Sequence, residues 1–437
     1  MITKMTNIRL VGQSWRYYTR HPALIEYRRL IMMVMLINLV IFIMGLQGGW
    51  WLSGEKYALQ NIANMALANV SVGILIRQQR VVNALFWLVT RIPTSWPLWI
   101  RWRAGKVFHF GGLHYGGTVV GTTWFGFLLW GVLQNKLSDK STLSDLTLGI
   151  SVVMIGLMLL MIVTAIGPVR AKFHNSFEKI HRFVGWTVLG LFWAHNVSIM
   201  HDMGESLIQA PSFWVLCLVT LSVISPWLTL KRVDVIVSKP SNHVALAHFD
   251  YGDTPFPGSS NAISRTPFGE YHSFANIPTP GHKGYRFAIS RSGDWTARFI
   301  DSPPQKVWVK GITTAGVARI EVLFNRVVYV GTGSGIGPIL PHLLARDVPC
   351  RLIWSTRSPR KTFGDTLVDE IEAHTEKPLI WNTDERGKPD LSKLALQAVR
   401  ESDAEAVIVI SNQKLTRRVV HDMETLGIPA YGAIWDS

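Results

Sequence analysis

Six long apolar stretches fill the first half of this 437-residue chain and leave few folds open to it. A helix needs about 20 apolar residues to cross a bilayer. Leu30 to Gly48, Tyr57 to Ile76, Val107 to Leu133, Leu146 to Gly167, Phe183 to Met200 and Ser212 to Leu230 are all of that order. The second is the most polar, with Gln60, Asn61, Asn64 and Asn69. A further apolar run, Val81 to Trp99, is broken by Arg91, Pro93 and Pro97. Its Trp87, Trp96 and Trp99 suit the headgroup level, so it reads as interfacial.

The formal net charge is +15. Such a balance suits nucleic acid or an anionic membrane surface, and placement decides between them. The N-terminal stretch, the Arg77 to Lys106 link, the Arg170 to Arg182 link and Lys231-Arg232 hold 18 Lys and Arg. The three alternate links hold only Lys56, Lys136 and Lys140. The positive-inside rule then puts the N-terminus and the second half of the chain in the cytosol, as in a multi-pass protein of the cell membrane. An even number of crossings agrees with six spans, and no nucleic-acid partner is expected. The stretch up to Arg29 is polar and basic, without the pattern of a cleaved signal. Cys217 and Cys350, the two cysteines, make neither a disulfide framework nor a thiolate metal site.

The second half divides again. Residues 233–319 alternate short strand-like runs with turns, as a small antiparallel barrel does. Residues 320–437 alternate strand and helix four times, the pattern of a parallel sheet with crossover helices. The expected architecture is a six-helix transmembrane bundle over residues 1–232, a β-barrel and an α/β domain.

The strand VVYVG runs into GTGSGIGP and then a helix. Gly331, Thr332, Gly333, Ser334, Gly335, Gly337 and Pro338 form that turn. Glycines let backbone approach a pyrophosphate, and a helix N-terminus supplies N–H donors, so this turn is expected to hold a dinucleotide. The next strand ends in Ser355, Thr356 and Arg357, with Arg360 and Lys361 close behind. Cations here favour a 2′-phosphate, hence NADPH over NADH.

Two further stretches, EYHSFA (Glu270 to Ala275) and RSGDWT (Arg291 to Thr296), lie about twenty residues apart. The pair resembles the flavin motifs of the ferric reductase and NADPH oxidase superfamily, whose motifs read H-P-F-T or H-P-F-S and G-D-W-T. The resemblance implies a ferredoxin-reductase-like module with FAD in the barrel. It puts His272 and Phe274 beside the flavin, and Arg291, Gly293, Trp295 and Thr296 where the barrel wall meets the cofactor's phosphates. Ala275 replaces a hydroxyl that would bond the flavin N5, and Ser273 is a substitute donor. Ser411-Asn412 stands where a Cys-Gly often lines the nicotinamide pocket. Trp435 is expected to cover the flavin ring, the alternative being an edge-strand tryptophan in a small core. His272, Ser273 and Trp435 are thus the candidate catalytic residues.

The fifth apolar stretch follows HRFVG and reaches His195. His181 and His195 are 14 residues apart, about 21 Å along a helix and on one face. The segment resembles the superfamily's H-R-x-x-G…H helix, which implies b-type haem. His114, in HFGGLHYGG, is the expected partner of His181, whereas Leu128 stands 14 residues beyond it. One haem b near the flavin is therefore expected, with His195 as the alternative ligand. His109 and His174 are candidates to orient the pair or hold a propionate.

GTGSGIGP, WSTRSPR, GIPAYGAIWDS, GGLHYGG and HRFVGW are together most similar to bacterial and fungal membrane flavoproteins that include conidiation-related proteins. Some of these are fused to adenylate-forming, peptide-synthetase-like modules. The resemblance implies a transmembrane oxidoreductase passing electrons from NADPH through FAD to haem, with an undetermined acceptor and an adenylate-forming enzyme as a candidate partner. Trp124, Trp130 and Trp193 are candidate stepping stones toward the far side. The alternatives are a haem-free flavoprotein reductase and a flavin-based redox sensor.

Overall fold

The computed structural model describes residues 15–54, 56–138, 143–252, 255–278 and 283–433. Lys140 and Trp435 lie outside the described residues. In the first half the main helices are α1 (Glu26–Gln47), α2 (Leu59–Leu75), α3 (Gln79–Val89), α4 (Leu98–Ala104), α5 (Gly111–Leu137), α6 (Asp145–Ala165), α7 (His174–Met203) and α8 (Pro211–Leu228). Among the described residues, five helical stretches are long and apolar enough to cross a membrane, or six if the bent pair α2 and α3 counts as one.

Local chemistry explains the helix ends. Ser144 caps α6 by accepting from the Thr147 N–H at 3.2 Å. Gly204 ends α7 in the left-handed region at φ 68°. Pro211 opens α8, where its missing N–H costs nothing. The run expected to be interfacial splits: α3 leaves α2 at 72° and ends before Pro93.

α5 packs on α2, α1 and α6, and α7 packs on α6 and α8. Small residues allow the closest of these approaches: a Cβ on Gly117 would meet the Asn69 carbonyl oxygen at 2.7 Å. Asn38 and Asn69 exchange side-chain amide bonds, and Trp124 Nε1 donates to Asn38 Oδ1 at 2.9 Å. The three tryptophans named as stepping stones sit in different surroundings. Trp124 is buried, Trp130 is exposed, and Trp193 donates to Thr220 Oγ1 in another helix pair.

The barrel has two antiparallel sheets. The first orders β1 (Lys231–Asp234), β8 (Lys306–Ala315), β4 (Ser259–Ser264) and β5 (His272–Ala275); the second orders β2 (Ile236–Ser238), β3 (Val244–Phe249), β7 (Tyr285–Ser290) and β6 (Ile277–Pro278). A helix α9 (Asp294–Asp301) follows β7. Ile263, Val309, Phe249, Phe287 and Phe299 fill the space between the sheets.

Five parallel strands follow, in the order β11 (Leu379–Asn382), β10 (Cys350–Thr356), β9 (Val327–Thr332), β12 (Ala406–Ile410) and β13 (Ala430–Gly432). Their principal helices are α10 (Ile336–Ala345), α11 (Asp365–His374), α12 (Leu391–Ser402) and α13 (Gln413–Thr425). The order reverses between β9 and β12, so the ligand crevice of such a sheet lies at their carboxyl ends.

One core runs through all three parts: Val82 and Phe86 of α3 and Phe108 join Val244 and Ile277 of the barrel and Tyr329 and Ile339 of the sheet domain. Arg101 of α4 donates to Glu405 Oε2 at 2.7 Å and to the Leu323 carbonyl at 2.9 Å. Lys106 pairs with Glu424 and donates to the Ala430 carbonyl at 2.8 Å. The barrel meets the sheet domain through Arg286 and Glu370 at 2.6 Å.

Candidate functional site

The glycine turn sits at the end of β9, at the switch point. Gly333 has φ +49°, a left-handed conformation that favours glycine. A Cβ on Gly335 would collide with the carbonyl oxygen of Ile410 at the end of β12. Gly333, Ser334 and Gly335 form a 3-10 turn, and Gly337 and Pro338 lie in the first turn of α10. Trp354 Nε1 donates to the Gly333 carbonyl at 2.9 Å, and Thr332 Oγ1 and Ser411 Oγ share a hydrogen bond at 2.6 Å. Asn412 caps α13 by accepting from the Leu415 N–H at 3.1 Å.

The cations after β10 are not equivalent. Ser355 and Thr356 are buried at the strand end, and Arg357 is exposed. Arg360, expected to help recognise a 2′-phosphate, bonds Asp369 at 2.6 Å, Glu372 at 2.9 Å and Asp365 at 3.2 Å. Those carboxylates, Asp369 first, hold its pKa above the ordinary value. Its charge is already answered, which leaves the exposed Arg357 as the stronger candidate for an anion.

The two flavin-type motifs meet. His272 and Trp295 have ring centroids 4.5 Å apart, and Phe274 lies 6.0 Å from Trp295 and 5.4 Å from Phe287. Strand alternation puts His272 and Phe274 on one face of β5 and Ser273 on the other, where it is exposed. That separates Ser273, the expected substitute donor, from the two rings by the width of the strand.

Thr296 Oγ1 accepts from the N–H groups of Ser292 and Gly293 at 3.0 and 3.1 Å, which shapes the start of α9. Arg291 is engaged with Asp301 at 3.0 Å and with the Asn242 carbonyl at 3.0 Å. His272 Nε2 is buried and, among the described residues, has no hydrogen-bond partner. Burial pushes its pKa down, and Glu178 and Glu270 pull it back.

A cleft of 410 Å³ opens beside Trp295, between the barrel and the start of α7. Lys179, Arg182, Arg265 and Arg298 line it. Arg182 donates to the carbonyls of Phe268 and Gly269, at 3.1 and 2.6 Å. An orphaned imidazole nitrogen, an aromatic seat and a basic cleft fit an aromatic cofactor that carries phosphates. At the glycine turn, backbone open to close approach beside a helix N-terminus fits a dinucleotide.

In the helical half, His114 of α5 and His181 of α7 have ring centroids 6.2 Å apart. Two imidazoles on opposite sides of one metal, with metal–nitrogen distances of about 2 Å, have centroids roughly 6 Å apart. His114 Nδ1 bonds the Gly73 carbonyl at 2.7 Å, which turns its other nitrogen away from α2. Among the described residues, α5 and α7 make almost no backbone contact with each other. Farther along, Phe125 of α5 packs against Phe192 and His195 of α7, with centroids 6.1 and 5.7 Å apart, so the two helices meet through side chains. His195 Nε2 instead meets Ser151 Oγ at 3.0 Å, and Leu128 is buried in the bundle core.

His109 and His174 do not reach this pair. His109 faces Glu26 at 4.0 Å, and His174 faces Glu178 at 3.8 Å. The contact that orients His114 is a backbone carbonyl, which no side-chain motif announces. Sequence reasoning also missed Lys310, whose Nζ lies 4.3 Å from the Trp227 centroid and 4.2 Å from that of Tyr271.

Comparison with known proteins supplies relatives for these parts. Over 425 residues, 96% of the chain, it is 40% identical to adenylate-forming reductase 03009 of Coprinopsis cinerea. It has the same identity and coverage with adenylate-forming reductase 06235 of that fungus. The chain spans 41% of the length of each. Among solved structures, a ferredoxin NADP+ reductase from Neisseria gonorrhoeae with bound FAD and NADP aligns with 47% of this chain and 98% of its own, at 13% identity and TM-score 0.38. The FAD/NAD binding domain of a nitric oxide dioxygenase from Vibrio cholerae aligns with 46% and 99%, at 15% identity and TM-score 0.36. Residues 317–437, which contain the glycine turn, match the family model of the adenylate-forming reductase 03009 C-terminal domain.

Proposed function

We propose that this chain is an NAD(P)H-dependent flavoprotein oxidoreductase whose electrons leave through its helical half, which lies in a membrane. The observation that carries the reading is the continuity of the three sites. α10, which begins at the glycine turn, packs against β5, β6 and β7 of the barrel. Arg182, which bonds the barrel loop beside the His272 and Trp295 seat, follows His181 directly in the chain.

In this reading the turn from Gly331 to Pro338 holds the nicotinamide cofactor's pyrophosphate, and Arg357 meets a 2′-phosphate, favouring NADPH over NADH. His272, Phe274 and Trp295 seat the flavin, while Lys179, Arg182 and Arg298 neutralise its phosphates. FAD, when bound, supplies the step between two-electron and one-electron chemistry. His114 and His181 would hold a single b-type haem, and that group, when bound, would supply one-electron transfer. Trp435 as the cover of the flavin ring belongs to the same proposal. The Lys and Arg asymmetry supports a cytosolic soluble half. The relatives' name supports an adenylate-forming partner, whose product joins ferric chelates, quinones and oxygen as candidate acceptors.

A second reading, a haem-free flavoprotein reductase, draws on one observation. The His114 and His181 rings are inclined by 70°, as edge-packed rings also are. One experiment separates the two. The protein is purified in detergent, its visible spectrum is recorded, and NADPH is added without air. Bleaching of flavin absorbance with a shift of a Soret band supports the first reading. Flavin bleaching without a Soret band supports the second, and a colourless protein that ignores NADPH defeats both.

A further inference from the structure

The chain leaves α2 and enters α3 through a sharp corner that touches both the histidine pair and the barrel. On one side, the Gly73 carbonyl in the last turn of α2 accepts from His114 Nδ1 at 2.7 Å. On the other, two amide side chains of α3 reach the bulged segment of β8. Gln79 Oε1 accepts from the Ile312 N–H at 3.0 Å, and Gln79 Nε2 donates to the Ile312 carbonyl at 3.3 Å. Asn83 Oδ1 accepts from the Ala315 N–H at 2.9 Å, and Asn83 Nδ2 donates to the Thr313 carbonyl at 2.8 Å.

The position of these bonds explains them. β8 pairs with β4 up to Lys310 and again from Thr314, and the register shifts in between. A bulge leaves ladder groups without strand partners, and buried backbone groups must find others. Gln79 and Asn83, four residues apart and so on one face of α3, act as a short stretch of strand made of side chains. Gly311, at φ +84°, is needed for the approach, since a Cβ there would run into the Gln79 amide. The corner is braced as well: Gln78 Oε1 accepts from the Val81 N–H at 3.0 Å, and Gln78 Nε2 donates to Ser225 Oγ of α8 at 3.2 Å. Tyr251 OH lies within hydrogen-bond distance of two carbonyls, Thr229 at 2.6 Å and Gly311 at 2.9 Å, and its single proton serves one of them at a time.

We propose that residues Gly73 to Asn83 are a positioning bridge: one short segment orients His114 at one end and fastens the flavin barrel at the other, so the two sites keep a single register. The consequence for electron delivery rests on the function proposed above. Gln79 and Asn83 touch no reacting group and act through the barrel's placement. The bonds are neutral amides, so the bridge holds across salt and pH changes that loosen ion pairs.

The test uses the full chain in detergent with Gln79→Ala plus Asn83→Ala, and separately Asn83→Asp. Hydrogen exchange at the Ile312 and Ala315 amides is the first measurement and needs no cofactor. The double variant should exchange at both at least ~10-fold faster than wild type. Asn83→Asp keeps an acceptor for Ala315, so that amide should stay slow, which guards against a folding artefact. The second measurement is rapid mixing with NADPH. Flavin bleaching in the double variant should stay within about twofold of wild type, and reduction of the membrane-half chromophore should slow at least ~10-fold, as small misplacements do.

Unchanged exchange at Ile312 and Ala315 would overturn the bridge. Faster exchange with undiminished delivery would overturn its positioning role. A wild-type protein that bleaches its flavin and reduces nothing in its helical half would refute the function proposed above, and the exchange measurement alone would then decide the bridge.

Discussion

The glycine turn and the histidine pair are built in opposite ways. The turn is eight consecutive residues, and its shape follows from backbone conformations only glycine adopts easily, such as φ +49° at Gly333. Its long-range partners, Ile410 and Ser411, are delivered by parallel strand register. The histidine pair joins residues 67 positions apart, on two helices that meet mainly through side chains. Its geometry depends on how α5 and α7 each pack against other helices. A site of the first kind is robust to changes elsewhere, whereas one of the second kind is only as good as the bundle around it.

Five experiments sharpen or break that contrast. The largest effect is expected at the pair: His114→Ala or His181→Ala should abolish haem absorbance of the purified protein, with flavin bleaching by NADPH preserved. His195→Ala should leave the haem spectrum intact, because that ring is bound to Ser151. The reverse pattern would place the iron at the His195 level and end the pairing argued here.

At the turn, Gly335→Ala should cut NADPH-driven bleaching by about 100-fold while FAD content stays normal, since the added methyl displaces backbone. Stopped-flow absorbance checks it, and wild-type rates would mean the nucleotide binds elsewhere. Arg357→Ala should lower the preference for NADPH over NADH by about 10-fold. Arg360→Ala should change it by less than about twofold, because three carboxylates already hold that side chain. Equal effects in steady-state kinetics would refute the distinction.

Lys310 gives a smaller, pH-dependent effect. Burial first, and Arg182 second, lower its pKa from an ordinary 10.5 to about 8. Below pH 8 the lysine is charged in the folded and the unfolded chain, and the burial cost is carried in full. Between about 8 and 10.5 the unfolded chain binds a proton that the folded chain has released, so stability should rise with pH across that window. Lys310→Met should flatten the rise in thermal unfolding, and an unaltered profile would assign it to other groups. The smallest effect concerns Cys350, whose thiol burial pushes up to about 12. It should resist alkylation at pH 8 until the protein unfolds, and rapid labelling of native protein would show that the sheet domain opens locally.

Much of the fold was legible because it is periodic. Apolar runs of the right length became α1, α2, α5, α6, α7 and α8, and alternating strand and helix became the parallel sheet. The motif pair EYHSFA and RSGDWT was legible as two segments that belong together, and His272 does meet Trp295. Ser273, expected to stand in as a donor, faces away from His272 and Phe274, because a strand sends neighbours to opposite faces. The helical nature of Val81 to Val89 was hidden by the prolines that follow it.

The sequence alone thus determined the long apolar helices, the gathering of cations in alternate links and the turn at Gly331 to Pro338, because each is set within a few neighbouring residues by hydrophobicity, charge or backbone freedom. Tertiary structure alone decided which side chains were already spoken for. Arg360 went to Asp365, Asp369 and Glu372, His195 to Ser151, His109 to Glu26, and Gln79 and Asn83 to a strand more than two hundred residues away. The reason is physical: a polar group's partner depends on what packing brings within about 3 Å of it, and that distance is a property of the assembled fold rather than of any local pattern.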